Sequence, residues 1–306
     1  MIIRNMIHKE ILIAALARNC EKSLPDNIKR INQLRSHFQQ SEVVVYENNS
    51  KDSTKQILKQ WKEESERILI VSEDLQEDKY NPAIMDFGHS YLRIEKMSRC
   101  RNKLLGIIKE HFSPDVVLFL DIDVQSFSVE GIVSGIKNAP SNWGGLFANC
   151  NMLQISKGEK KDIPFYYDTY AFLPKGKDYI DLHNMPCNRL TRLFQGFRIY
   201  KTIQQSAYTE CSSAFGGIGI YKYEYIRGLN YRTYPLGTKE QSICEHIPFN
   251  LDLKHKGALL FISRDIRVCY SEVCKNGIKA FAIKHMPRLY MFITETITMI
   301  HEIKDA

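Results

Sequence analysis

From its N-terminus the chain alternates apolar runs with charged stretches of helical period. Ile11-Leu12-Ile13-Ala14-Ala15-Leu16-Ala17 is an unbroken apolar run, as expected of a strand buried on both faces. Pro25 and Asp26 then open a helix in which Ile28, Ile31, Leu34 and Phe38 recur at helical spacing, before Val43-Val44-Val45-Tyr46 begins a second strand. The polar turn Asn48-Asn49-Ser50-Lys51-Asp52-Ser53-Thr54 leads into another helix, with Ile57, Leu58 and Trp61 for its buried face. Ile68-Leu69-Ile70-Val71 fits a third strand, residues 72–90 read as loop, and 93–112 is again helical. Pro114-Asp115 breaks that helix ahead of Val116-Val117-Leu118-Phe119-Leu120, which the pattern makes a central strand.

This alternation predicts an α/β fold, a Rossmann-like, mostly parallel sheet flanked by helices. The second half is less regular, with strands expected at 144–149, 217–221 and 258–262 between long loops. No internal repeat, low-complexity linker or domain boundary interrupts it. At 306 residues and 44% apolar composition the chain suits one large catalytic domain. Within it, residues 1–125 form one half, 126–280 a more elaborated half and 281–306 a C-terminal helical extension.

Composition narrows the function classes. A net charge of +7 mildly favours anionic partners, but it is dispersed and no nucleic-acid motif accompanies it, so nucleic acid is not an expected partner. The eight cysteines form no CxxC pair, and they read as reduced and mostly buried. No run approaches the roughly 18 to 20 uncharged apolar residues of a membrane span, and residues 1–10 hold no uninterrupted signal-peptide core. A cytoplasmic location is therefore the default expectation.

The strongest chemical signal is Asp121-Ile122-Asp123, directly after the buried run 116–120. If the segment stays extended, its alternate carboxylates face one side and can converge on a hard divalent cation, magnesium or manganese, that bridges to a diphosphate. An isolated DxD is common in solvated turns, so its context matters. That context is the loop Tyr46-Glu47-Asn48-Asn49-Ser50-Lys51-Asp52-Ser53-Thr54 and the helical segment Met97-Ser98-Arg99-Cys100-Arg101-Asn102. Nucleoside-type loop, Arg-Asn helix, apolar strand and DxD, in this order, resemble glycosyltransferases of the GT-A fold. More narrowly, the last three resemble bacterial capsule or lipopolysaccharide glycosyltransferases and, more loosely, fungal capsule-associated mannosyltransferases.

The resemblance implies a metal-dependent transferase using a nucleotide-sugar donor, UDP- or GDP-linked, with residues 1–125 as its nucleotide-binding half. Glu47, Asn49 and Asp52 would hold the nucleoside, although Ser50 and Asp52 could equally cap the following helix. Arg99, Arg101 and Asn102 offer donors to phosphate or to the aspartates, but neighbours on a helix do not share a face, so not all three enter one pocket. Asp121 and Asp123 would be metal ligands, Asp123 also counting as catalytic. In the second half, Tyr167 and Asp168 suit a sugar ring and its hydroxyls, while Phe215, Gly216 and Gly217 could wall the donor-sugar pocket. An aromatic core strand at 166–172 is the plainer alternative. Glu245 is the candidate catalytic base, with His246 or His255 as a further metal or diphosphate contact.

The acceptor implied is a growing bacterial surface glycan. A lipid-linked acceptor and peripheral membrane contact through 281–293 stay open, as does packing or oligomerisation of that segment. Two rivals remain at this point. A sugar nucleotidyltransferase would show a glycine-rich loop after the first strand, where Ala15-Leu16-Ala17-Arg18-Asn19-Cys20 stands instead; a carbohydrate- or nucleotide-binding protein would bind without turnover. Neither GxGxxG nor a P-loop is present.

Overall fold

A computed structural model describes residues 6–75, 90–156, 159–162, 165–184, 189–236 and 238–274. The proposed extension 281–306 lies outside them. The strands are β1 (Ile7–Ala17), β2 (Phe38–Asn48), β3 (Ile68–Glu73), β4 (Val116–Asp121), β5 (Ser126–Phe127), β6 (Trp143–Ser156), β7 (Glu159–Asp162), β8 (Leu173–Pro174), β9 (Tyr208–Ser213), β10 (Ile218–Lys222), β11 (Pro235–Leu236), β12 (Thr238–Ser242) and β13 (Leu259–Cys274). The helices are α1 (Leu24–Arg35), α2 (Thr54–Glu64), α3 (Tyr91–His111), α4 (Val129–Lys137), α5 (Arg189–Ile203), α6 (Tyr223–Ile226) and α7 (His246–His255), with a 3₁₀ turn at Tyr179–Asn184.

One sheet runs in the order β3-β2-β1-β4-β10-β6-β13-β9-β8, with β5 added on β13 and β7 on β6. β3, β2, β1 and β4 are mutually parallel, as the N-terminal alternation predicts. β1 is buried from Ile11 to Ala15 because α1 and the neighbouring helices cover the sheet. β10 then runs antiparallel to both β4 and β6, and β13 returns parallel to β6.

Elements in the second half are longer than their apolar runs suggest. β13 continues to Cys274 through three register shifts, where the sequence pattern shows only 258–262, because alternation with polar residues hides its outer half. Residues 166–172 are an irregular, bent segment and not a core strand: Tyr166 is buried and Tyr167 exposed. Two features place a crevice at the carboxyl ends of β1 and β4. The strand order reverses beside β1, and the DxD leaves the sheet there.

Candidate functional site

β4 delivers Asp121 to the sheet edge, where its N–H donates to the Gly217 carbonyl at 2.9 Å. The chain turns at once, and the Val124 N–H donates back to the Asp121 carbonyl at 3.2 Å. The extended geometry expected for Asp121-Ile122-Asp123 is thus replaced by a turn, which keeps Asp121 half-buried and leaves Asp123 exposed. Asn27 fixes this turn. It is fully buried in α1, and its amide donates to the carbonyls of Ile122 (3.0 Å) and Val124 (2.7 Å), gripping the backbone on both sides of Asp123. The helical pattern around Asn27 gives no hint of that grip, which spans 95 residues of sequence.

Arg101 is the hub. Its Nε donates to Glu245 Oε1 at 2.9 Å and its Nη2 lies 3.4 Å from Asp121 Oδ1, so one buried guanidinium joins the DxD to the carboxylate ahead of α7. The rings of Phe215 (5.1 Å) and Tyr231 (5.6 Å) flank it. Burial would lower the guanidinium's pKa, but Glu245 and Asp121 outweigh that and hold it charged. Asp121 is pushed up to about 7, first by burial; Arg101 pulls it down, and Asp123, Asp168 and Glu245 push it up again.

The other members of the helix motif do different jobs. Arg99 is exposed and pairs with Glu95 one turn back at 3.4 Å, away from this cluster. Asn102 holds the backbone of Tyr231, accepting its N–H at 2.7 Å and donating to its carbonyl at 2.8 Å, so it scaffolds the pocket wall without facing a cofactor.

Asp168 closes the cluster from the second half. Its Oδ2 accepts the Gly216 N–H at 2.9 Å and its Oδ1 the Ala171 N–H at 3.3 Å, while burial raises its pKa. Gly216 (φ +68°) and Gly217 (φ +83°) must be glycines here, and a Cβ on Gly216 would lie 2.5 Å from the Ala148 carbonyl oxygen. Phe215 stacks flat on His246, with ring centroids 3.8 Å apart. His246 is buried, its pKa well below the ordinary range through burial and the Arg101 charge, and its Nε2 is 3.8 Å from Glu245 Oε1. Both its ring nitrogens and the Tyr231 hydroxyl are buried without a hydrogen-bond partner among the described residues. Each such group costs about 1 to 3 kcal/mol, a cost that a ligand hydroxyl or water in the cluster would relieve. His255 sits elsewhere, against Asp178 at 3.0 Å on the surface.

The residues expected to hold the nucleoside are instead interlocked. Glu47 is fully buried, with Oε1 accepting the Ser50 N–H at 2.8 Å and Oε2 bonded by the Ser72 hydroxyl. Asn49, at φ +55°, bonds Leu75 through both ends of its amide. Asp52 accepts the Thr54 N–H at 3.0 Å at the entry to α2 and the Glu21 N–H at 3.1 Å from the loop after β1. Asn19, Glu21 and Ser50 return the clamp between the two loops. These side chains therefore shape the loops that follow β1 and β2, Asp52 through its bond to the Thr54 N–H at the first residue of α2.

Among the described residues no three His, Cys, Asp or Glu side chains form a ready metal cage. The two aspartates nonetheless fit a hard divalent cation. They offer oxygen ligands at a strand end, where Asp121 feels the negative charge of Asp123, Asp168 and Glu245 against the single Arg101 guanidinium, an excess that a cation would neutralise.

The family model described as "Cryptococcal mannosyltransferase 1" matches residues 10–252, which include every residue of the cluster named above. No curated protein matches. Similar solved structures include the mannosyltransferase PcManGT from Pyrobaculum calidifontis in complex with GDP-Man and Mn2+ (13% identity, TM-score 0.49, covering 95% of this chain and 65% of that one). They also include S. aureus TarS 1-349 (14%, 0.44, 86% and 60%) and GalNAc-T7 with UDP, GalNAc and Mn2+ (13%, 0.49, 86% and 44%). This chain thus spans less than two thirds of each of those chains. No helix among the described residues is long and apolar enough to cross a membrane. With Asp121, Asp123, Arg101 and Glu245 all inside the matched region, the chain belongs to the cryptococcal mannosyltransferase 1 family of glycosyltransferases.

Proposed function

We propose that this protein transfers a hexosyl unit, mannose on the family's description, from a nucleoside diphosphate sugar to a hydroxyl of a growing surface polysaccharide. The observation that carries the reading is the Arg101 bridge, which sets Glu245 and Asp121 on one guanidinium at 2.9 and 3.4 Å. It ties a general-base candidate to the strand end suited to a metal-bound diphosphate.

In this reading Asp121 and Asp123 hold manganese or magnesium, which when bound neutralises the diphosphate as it leaves. Glu245 then accepts the proton of the acceptor hydroxyl. The acceptor oxygen attacks the anomeric carbon, the bond from that carbon to the diphosphate oxygen breaks, and the nucleoside diphosphate departs with the electron pair. Glu245 suits this role because its Oε1 is oriented by Arg101 while its Oε2 is met, among the described residues, by the Cys244 thiol at 3.7 Å. Direct displacement of this kind inverts the anomeric centre. His246 and Tyr231 belong to the same cluster, with buried polar atoms that have no hydrogen-bond partner among the described residues. The surface-glycan acceptor rests on the resemblance of Met97–Asn102 and the DxD to capsule and lipopolysaccharide enzymes. Lipid linkage of that acceptor and membrane contact by residues 281–293 belong to the same reading.

The test is donor turnover with manganese and GDP-mannose, or a UDP-sugar, for wild type and Glu245→Gln. Turnover should fall at least about a hundredfold in the variant, with manganese-dependent binding of the nucleoside diphosphate retained. Equal turnover in both proteins would remove Glu245 from the chemistry.

A further inference from the structure

Tyr270 stands beside the DxD although nothing in its sequence surroundings marks it. The strand segment that carries it is docked onto the exit of the DxD turn: the Gln125 N–H donates to the Cys269 carbonyl at 3.0 Å, and β5 pairs with β13 at Ser126 and Phe127. The β13–β6 register then slips between Cys269 and Ser271, so Tyr270 occupies a bulge. Bulges re-aim side chains, and this one sends the Tyr270 ring toward the cleft. There it stacks on Tyr167, with centroids 4.5 Å apart and planes 25° from parallel. Its charged surroundings are Asp121, Asp123 and Asp168. Beneath it lies Gly217, whose missing side chain leaves room, a Cβ there falling 3.7 Å from Tyr270 Cδ2.

Tyr167 is 39% exposed, one of few large aromatic or aliphatic side chains so exposed among the described residues. An open aromatic pair bordered by carboxylates matches a pyranose, which offers polarised C–H groups to a ring face and hydroxyls to carboxylate oxygens. Asp168 keeps lone pairs beyond the two that accept backbone N–H groups. A nucleobase could stack on such a pair too, but the loops that rim the nucleoside side follow β1 and β2, across the sheet from β13.

We propose that Tyr167, backed by the stacked ring of Tyr270, forms a platform for the donor's sugar ring, making Tyr270 a positioning residue for recognition of the sugar and not of the nucleotide. The inference rests on the transferase reading of the same site. Its mechanical basis is the bulge: Tyr270 holds Tyr167 in place from behind, and Tyr167 offers its outer face.

The experiment titrates wild type, Tyr167→Ala, Tyr270→Ala and Tyr270→Phe with GDP and with GDP-mannose at saturating manganese. Both alanine variants should bind GDP as wild type does and bind GDP-mannose roughly tenfold more weakly, while Tyr270→Phe keeps wild-type affinity for both. Tyr167→Ala, an exposed substitution, guards against misfolding of the Tyr270 variant. Equal weakening of both ligands, or of neither, overturns the platform. So does unchanged GDP-mannose affinity with a raised KM for the acceptor, which would move the pair to the acceptor side. Failure of wild type itself to bind GDP or GDP-mannose with manganese overturns the transferase reading for this donor, and the platform with it, and is recognised because it precedes any substitution.

Discussion

Two polar regions face each other across the crevice, and they handle their polar groups in opposite ways. In the loops after β1 and β2, the side chains of Asn19, Glu21, Glu47, Asn49, Ser50, Asp52 and Thr54 bond backbone or side-chain groups of neighbouring segments. Around Arg101, Glu245 and Asp121 share one guanidinium with the charges of Asp123 and Asp168 close to Asp121, and among the described residues His246 and Tyr231 keep buried polar atoms unpartnered. The first region is complete without a ligand; the second is not. Rigid rims and an electrostatically unfinished centre are what a site needs if ligand binding is to supply the missing partners.

The largest effect should come from breaking the hub. Arg101→Ala leaves Glu245 and Asp121 buried without their cation, and urea denaturation should show a loss of about 3 to 5 kcal/mol. Added manganese should recover part of that loss by replacing the positive charge, which a purely structural salt bridge would not permit.

Asn27→Ala sharpens the comparison from the opposite side, because it disturbs the centre through the scaffold. Leaving the Ile122 and Val124 carbonyls without their donor should cost about 1 to 3 kcal/mol in thermal unfolding. Manganese affinity should fall as well, since Asp123 loses the grip on its flanking backbone. Unchanged metal affinity would mean the turn holds its shape alone.

Legibility in the sequence follows the same division. The N-terminal strands and helices, β4 and the DxD can be read because each rests on a local apolar period followed by an unmistakable polar signal. The roles of Glu47 and Asp52 cannot, since an acidic loop bonding its neighbours and one bonding a nucleoside have the same composition. Arg99 and Arg101 look equivalent until the helix sends one to Glu95 and the other to Glu245. Asn27 and Tyr270 carry no local mark at all: one acts across 95 positions and the other through a bulge that only strand pairing creates.

The smallest effect lies at the outer end of α7. Burial pushes the Asp252 carboxyl up, but hydrogen bonds from Arg232 and Tyr179 outweigh it and hold the group below the ordinary carboxylate range. A depressed carboxyl stabilises the fold above its unfolded-state pKa and loses that contribution as pH falls through the folded value. Asp252→Asn should therefore cost up to about 1 kcal/mol near neutral pH, the partly exposed setting screening the pair, and the difference from wild type should begin to shrink as the pH falls below about 4 and close only once it passes below the depressed folded-state value. Melting temperatures measured from pH 3 to 8 check this.

The account turns on Asp121 and Asp123 holding a cation against a nucleoside diphosphate. Calorimetric titration of GDP and of UDP into wild type and Asp123→Ala, each with manganese and with chelator, tests it most directly. One nucleotide should bind wild type only with manganese, and that binding should vanish in Asp123→Ala, whose exposed side chain contributes little to folding. Nucleotide binding that survives chelation, or that Asp123→Ala retains, would contradict the assignment.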